Sequence, residues 1–466
     1  MDQAFDVIVI GGGPAGENVV GRCADGGLTV ALVEHELVGG ECSYWGCIPS
    51  KTLIRPGDAL AAARRVPGVA ESVTGSLDDA AAFARRDYMV NNWTDSSQAE
   101  WVESKAATLV RGRGRLAGPR VVEVEAPDGS TRTVRARRAV VLATGTTAAI
   151  PPIDGLGDIS PWDNRGVTSA KELPRRLLVL GGGAIGAEMA QAFKRLGCEE
   201  VTVIEARDRL LANEEPFAGE EVRAAFEAEG ITVIIGTRMT AARRDGSDGP
   251  VVATLEDSRQ IYADEILVAV GRRPNTGDVG LDRLGLVDKA GRYLDVDDRL
   301  RVQGVGDDWL YAVGDCNGRA LFTHMGKYHG RLCADVILGD DVADVASNGI
   351  VPRVTFTDPQ VCAVGLTENQ ARDQGLDVRA VTYPTGDVPG AYTLGEGVSG
   401  TSQLVVNERR RLIVGATFTG PGTQELLHSA TIAIAGEVKL DQLWHAVPAF
   451  PTLSEVWLHL LEAYGL

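Results

Sequence analysis

One pattern constrains this chain more than any other, because it is written twice. Asp6-Val-Ile-Val-Ile10 is a short apolar run suited to a strand buried on both faces, and Gly11-Gly-Gly-Pro-Ala-Gly16 follows it directly. Gly11, Gly13 and Gly16 stand in the G-x-G-x-x-G spacing, with Pro14 and Ala15 opening a helix. That spacing serves a tight turn, a close approach of backbone to a pyrophosphate, and a helix packed near its strand. Thr29-Val-Ala-Leu-Val33 then ends on Glu34, about twenty residues on, where a carboxylate accepts hydrogen bonds from a ribose. The same order returns at Arg176-Leu-Leu-Val-Leu180 and Gly181-Gly-Gly-Ala-Ile-Gly186, where Gly181, Gly183, Ile185 and Gly186 form the loop. Glu200-Val-Thr-Val-Ile204 follows and ends on Glu205. An α/β fold with two Rossmann-like domains, each holding a dinucleotide, is expected.

The remaining segments return to these two frames. Ala139-Val-Val-Leu-Ala-Thr-Gly145 suggests a strand of the first domain that ends on Ala143, Thr144 and Gly145, and Pro151-Pro152 marks an exit. Leu267-Val-Ala-Val-Gly-Arg-Arg-Pro-Asn275, with Gly271 and Arg272, closes the second domain, and Leu310-Tyr-Ala-Val-Gly-Asp315, with Gly314 and Asp315, belongs again to the first. From about Pro352 the texture is β-rich, as in Arg353-Val-Thr-Phe-Thr357 and Gln403-Leu-Val-Val406, followed by apolar helical stretches. The expected boundaries are 1–150 and 276–346 for the first domain, 151–275 for the second, and 347–466 for a C-terminal α+β domain.

Charge and cysteine usage exclude several classes. A net charge of -18, spread along 466 residues, argues against nucleic acid as a partner. No apolar run approaches the ~18 residues of a membrane span. The start of the chain lacks a basic segment and runs straight into the glycine loop, so no secretory leader is expected. Seven irregularly spaced cysteines do not form a secreted disulfide framework, and the expected compartment is a reducing cytoplasm. No metal ligand set is expected.

Two of those cysteines lie five positions apart in Val38-Gly-Gly-Glu-Cys-Ser-Tyr-Trp-Gly-Cys-Ile-Pro-Ser-Lys51. A Cys-x-x-x-x-Cys segment that opens a helix can bring its Cα atoms within the ~4.4–6.8 Å of a disulfide, and a helix N-terminus favours the thiolate. Two unrelated buried thiols are the alternative. Together with both fingerprints, Gly271-Arg-Arg-Pro-Asn275 and Ala312-Val-Gly-Asp315, this segment resembles the flavoprotein disulfide reductases, which include dihydrolipoamide dehydrogenase, glutathione reductase and mercuric reductase. The resemblance covers essentially the whole chain.

The resemblance implies FAD in the first domain, NADH or NADPH in the second, and a C-terminal domain that forms a homodimer. It implies that Cys47 faces the flavin and that Cys42 exchanges with a substrate disulfide. Gly40 belongs to the cofactor-binding set. Lys51 lies about one helical turn after Cys47, and a cation near flavin N5 would stabilise the reduced ring; Glu188 matches its acidic partner. Asp315 would bond the flavin sugar chain, and His324 falls at a helix start that meets the flavin C2 carbonyl. Glu205 favours a free ribose diol and therefore NADH, whereas Arg207 and Arg209 would answer a 2′-phosphate.

One segment departs from the family. Members that reduce lipoamide or glutathione carry a histidine before a proline near the C-terminus, oriented by a glutamate. Here the stretch is His445-Ala-Val-Pro-Ala-Phe-Pro-Thr-Leu-Ser-Glu455, and Phe450 occupies the place before Pro451. Glu455 keeps the glutamate position, and His445 is five residues early. A cis peptide at Pro451 is expected, as is a partner subunit's disulfide face opposite this segment. Mercuric reductases also place Phe here but end in a cysteine pair, and this chain ends Glu462-Ala-Tyr-Gly-Leu466. In the dithiol loop, Glu41 replaces a common Thr, and Tyr44 and Trp45 stand either as a stacking surface for a flat substrate or as filling. The expected function is an NAD(P)H-dependent oxidoreductase acting on a small disulfide. An NAD(P)H quinone or diaphorase-type reductase is the alternative, and from another class a redox sensor or a non-catalytic partner flavoprotein.

Overall fold

The computed structural model describes residues 3–244, 246 and 249–466. It divides into two compact units, one made of Met1–Pro49, Asp87–Ala149 and Gly271–Asn348, the other of Ser50–Arg86, Ile150–Val270 and Gly349–Leu466.

The first unit is built on a seven-stranded sheet. Val30–Glu34 lies between Gln3–Ile10 and Thr108–Arg111, all parallel. On the other side of Gln3–Ile10 the long strand Thr131–Leu142 runs parallel to it, and its far end pairs with Leu310–Ala312. The near end turns antiparallel to Val121–Glu125, which pairs with Arg113–Gly118. Val7, Ile8, Val9, Ala31 and Leu32 are fully buried, which is why these strands are continuous apolar runs rather than alternating ones. Each such Val, Ile or Leu side chain contributes about 1.5–3 kcal/mol. The helix Thr323–Leu338 lies against Pro14–Asp25 through Gly326 and Gly330, which meet Ala15; a Cβ at 330 would stand 2.4 Å from the Ala15 carbonyl oxygen.

The second unit holds the repeated fold. Ile231–Ile235, Glu200–Glu205, Arg176–Leu180 and Glu265–Val268 form a parallel sheet in that order. A three-stranded antiparallel sheet spans Met239–Arg244, Val251–Leu255 and Gln260–Ala263. The C-terminal portion is a five-stranded antiparallel sheet, with Gln360–Gly365, Leu412–Gly420 and Thr401–Asn407 between the outer strands Arg353–Thr355 and Val378–Pro384. The helices Leu427–Ala435 and Val456–Tyr464 share its core.

The structure groups residues 50–86 with this unit rather than with the rest of 1–150. Leu53, Ile54, Ala82 and Phe83 share one core with Ala187, Ala190 and Phe193. Arg86 is fully buried and donates to the carbonyls of Thr168 and Ala170. A buried guanidinium must be fully bonded, so this arginine fastens the segment firmly.

Candidate functional site

The two fingerprints fold to nearly the same geometry. Gly11 and Gly181 adopt φ of +106° and +109°, and a Cβ at either would strike the carbonyl oxygen of Ala143 or Ala269 at 2.4 or 2.5 Å. A Cβ at Gly16 or Gly186 would stand 2.0 or 1.9 Å from the carbonyl oxygen of the first glycine, so helix and strand approach only because glycine is there. Gly13 and Gly183 differ: a Cβ there would meet nothing within 4 Å. The space before them is a cradle at a helix N-terminus, fitted to a phosphate. Pro14, Ala15 and Ile185 stand in the first turns of these two helices.

The acids close each loop in the same way. Gly12 N–H donates to Glu34 Oε2 at 2.6 Å and Glu36 N–H to Oε1 at 2.7 Å. Gly182 N–H donates to Glu205 Oε2 at 2.7 Å and Arg207 N–H to Oε1 at 2.8 Å. Burial opposes ionisation of Glu34, but bonds from His35, Gly12 and Glu36 outweigh it and hold the carboxyl below its ordinary value. Arg207 is bonded to Asn213 at 2.8 Å and Arg209 to the Ala212 carbonyl at 3.0 Å.

In the first unit, the turn Gly40–Tyr44 carries Cys42, and Cys47 is the first residue of the helix Cys47–Arg64. Gly40 has φ +56°, and its missing Cβ lets the turn sit against Gly13 Cα. The two sulfurs are 2.8 Å apart, less than 1 Å beyond the ~2.05 Å of a disulfide bond. Thr323 Oγ1 lies 3.2 Å from Cys47 Sγ. The hydrogen bond to Cys47, with burial second, pushes the Cys42 thiol far up, so the expected lowering of thiol pKa does not extend to Cys42. Tyr44 is fully buried with its hydroxyl on the Thr94 carbonyl, so it fills space and offers no stacking face; Trp45 is half-buried beside it.

Glu41 has a partner that the local sequence does not show. Arg272 Nη2 donates to Glu41 Oε2 at 3.0 Å and to the Thr146 carbonyl at 2.8 Å, and Arg272 Nε donates to Thr146 Oγ1 at 2.6 Å. Thr146 Oγ1 in turn donates to Asp315 Oδ2 at 2.8 Å. Burial raises the Asp315 carboxyl, an effect that Thr146 and Arg272 partly oppose. Gly271, Arg272, Thr144, Gly145, Gly314 and Asp315 thus come together in one unit with the first loop. His324 is the second residue of its helix, exposed and stacked on Phe322 at 5.4 Å.

In the second unit Lys51 Nζ donates to Glu188 Oε2 at 2.7 Å. Lys51 also lies 4.8 Å from the centre of the Phe356 ring, and Phe356 N–H donates to Glu188 Oε1 at 2.9 Å. The Phe450–Pro451 peptide is cis. Phe450 is 74 % exposed, and His445 is exposed as well. Glu455 is buried, and among the described residues its Oε2 has no hydrogen-bond partner. A Cβ at Gly390 would stand 2.1 Å from the Thr452 carbonyl carbon, so this loop is seated closely.

Sequence reasoning passed over Thr146, Thr323, Phe356 and Gln191. Thr323 was within reach as the first residue of the helix that carries His324. No local signal marks the other three. Among the described residues no group of metal-ligating side chains is found, and no helix is long and apolar enough to cross a membrane.

Comparison with known proteins agrees with this geometry. A family profile described as pyridine nucleotide-disulphide oxidoreductase matches residues 5–330, and the corresponding dimerisation domain matches 351–461. The chain is 32 % identical to a dihydrolipoyl dehydrogenase of Chlamydia muridarum over 98 % of its own length and 96 % of the relative's. It is 29 % identical to a mercuric reductase of Staphylococcus aureus, over 97 % and 81 %. Among solved structures, LpdA of Mycobacterium tuberculosis superposes with a TM-score of 0.87 at 24 % identity, over 100 % of both chains. The HOCl-induced flavoprotein disulfide reductase RclA of Escherichia coli gives 0.83 at 25 % identity, over 99 % of both chains.

Proposed function

The chain belongs to the pyridine nucleotide-disulphide oxidoreductase family, and from that premise we propose that it passes electrons from NAD(P)H through FAD to Cys42–Cys47 and on to a small disulfide, without a histidine base. The family is one of enzymes that bind FAD and use a pyridine nucleotide. FAD supplies the electron redistribution between a hydride and a thiol pair. The residues of the first unit fit it: the open cradle at Gly13, the fixed carboxylate of Glu34, and Asp315 beside them. The single observation that carries the proposal is the 2.8 Å separation of the two sulfurs at the start of a helix.

Exchange then needs two steps. Cys42, a thiol at rest, loses its proton as it attacks one sulfur of the acceptor, forming a mixed disulfide and releasing one thiolate that takes up a proton. Cys47 attacks Cys42 Sγ, which restores the Cys42–Cys47 bond and releases the second. Each thiolate takes a proton, and in relatives with a histidine before the proline that proton has a carrier. Phe450 has none to give. Direct reduction of a quinone is a second reading favoured by the same residue, since it needs no base at the dithiol. A homodimer in the cytoplasm is part of the proposal, and the match of 351–461 to the dimerisation domain supports the homodimer.

Anaerobic titration with NADH is expected to deliver two electrons to the dithiol beyond those held by the flavin, with a long-wavelength charge-transfer band. Cys47→Ser is expected to remove the band and the extra electrons. Saturation of the wild type at the flavin's own two electrons would contradict an active dithiol.

NADH is expected to serve better than NADPH, because Glu205 faces the loop that holds the nucleotide while Arg207 and Arg209 bond to their neighbours. Glu205→Ala should narrow the ratio of kcat/KM values by about tenfold, the scale of one lost hydrogen bond to a charged group. A wild-type preference for NADPH counts against this assignment.

A further inference from the structure

The helix Ala184–Leu196 carries Glu188, Gln191 and Arg195 at intervals of three and four residues, which places them on one face. All three reach the same short segment. Phe356 N–H donates to Glu188. Asp358 N–H donates to Gln191 Oε1 at 2.7 Å, and Gln191 Nε2 donates back to the Asp358 carbonyl at 2.9 Å. Arg195 Nη2 donates to Asp358 Oδ2 at 2.8 Å, and Arg65 bonds the same carboxylate. Phe356 N–H and both main-chain groups of Asp358 therefore face the helix, although 357–359 is a bend rather than a strand.

Gln191 is the centre of this arrangement. It is buried, and its second Nε2 hydrogen goes to Glu229 Oε1 at 2.8 Å, so both amide hydrogens are used. On either side the same two helices are joined by ion pairs, Lys51–Glu188 at 2.7 Å and Asp58–Arg195 at 3.3 Å. The pairs are spaced seven residues apart on each helix, which sets their register. Within that frame Glu188 has two partners on its two oxygens, and one of them, Phe356 N–H, is placed by the Gln191 clamp two residues further on.

We infer that Gln191 is a positioning residue for the Lys51–Glu188 pair, acting through the main chain of Asp358 and Phe356. The inference rests on the role in stabilising the reduced flavin that the family resemblance implies for that pair. With the clamp in place, Glu188 keeps Oε1 on Phe356 and Oε2 on Lys51, and the Phe356 ring covers the ammonium. Without it, the buried carboxylate loses one fixed donor and turns, and the ammonium loses its direction. A cation without a fixed position stabilises the reduced flavin less.

The test uses FAD-loaded wild type, Gln191→Met, Glu188→Gln and the double variant, each equilibrated with a redox dye while flavin absorbance is read. The equilibrium constant for flavin reduction is expected to fall by about three- to tenfold in Gln191→Met, a coupling typical of residues in one network. The double variant should match Glu188→Gln within about twofold, because a residue that acts through Glu188 adds nothing once that carboxylate is neutral. A lower melting temperature with an unmoved flavin equilibrium, or full additivity in the double variant, overturns the inference while the role of the pair stands. An unmoved equilibrium in Glu188→Gln itself overturns the role of the pair and the inference with it. If Gln191→Met does not retain FAD, Gln191→Asn, which keeps the amide one methylene short, takes its place under the same criteria.

Discussion

Replacing Phe450 by histidine is expected to raise turnover of lipoamide and glutathione disulfide by at least about tenfold, from a wild-type rate that general acid–base catalysis would exceed by ~10²–10⁴-fold. The expected acceptor for the new imidazole is Glu455. Glu455 is buried on the same short loop, and its Oε2 has no partner among the described residues. A buried carboxylate oxygen left unbonded is costly, so a ring N–H that reaches it gains both a hydrogen bond and a fixed orientation. Phe450 itself is exposed, so the change removes little packing. Quinone turnover should stay within about twofold in the same variant, since it draws on no proton carrier at the dithiol. Parallel assays with a disulfide and a quinone therefore separate the two readings. Wild-type lipoamide turnover as fast as that of histidine-bearing relatives, or its loss on His445→Ala, would falsify the absence of a working base.

Gly183→Val should abolish reduction of the flavin by NADH, by more than about a hundredfold, while leaving the fold and bound FAD in place. Gly183 is extended, with φ -75° and ψ -176°, which a valine adopts without strain, and a Cβ there meets nothing within 4 Å. Stability should change by no more than about 0.5 kcal/mol, as at other open sites. The added branches occupy the space that a pyrophosphate needs at the helix N-terminus. Gly13→Val, with φ -72° and ψ 179°, should instead give protein that cannot hold FAD. Gly186→Ala is the contrasting case: its methyl would stand 1.9 Å from the Gly181 carbonyl oxygen, so the fold itself should suffer. Thermal melting with flavin content and NADH titration distinguishes the three. Normal NADH reduction in Gly183→Val would remove this loop from nucleotide binding.

What could be read from the sequence was what is local. Strand, glycine loop, helix and acid lie within about thirty residues, and the physics that fixes their order acts at that range. The dithiol segment and the departure at Phe450 are local too. The packing of 50–86 was not legible, because the apolar face of Leu53, Ile54 and Phe83 fits either unit until Arg86 finds its two carbonyls. Glu41 appeared as an unexplained substitution because its partner, Arg272, is 231 positions away. Phe356 and Gln191 carry no motif at all, since a side-chain amide bonded to the main chain of one distant residue leaves no periodicity behind it.

The bonded chain from Glu41 through Arg272 and Thr146 to Asp315 bears on how such enzymes can be recombined. The dithiol loop looks like a cassette, a dozen residues bounded by glycines that one relative might lend another. Here the residue just before Cys42 is tied to an arginine 231 positions away and, through a threonine hydroxyl, to the carboxylate of Asp315. A borrowed loop with threonine at position 41 would take the carboxylate away from Arg272 and alter the charge balance two side chains further on. Exchange of the loop and Arg272 must therefore be made together, and chimeras that move only the cysteine segment should bind flavin differently from either parent.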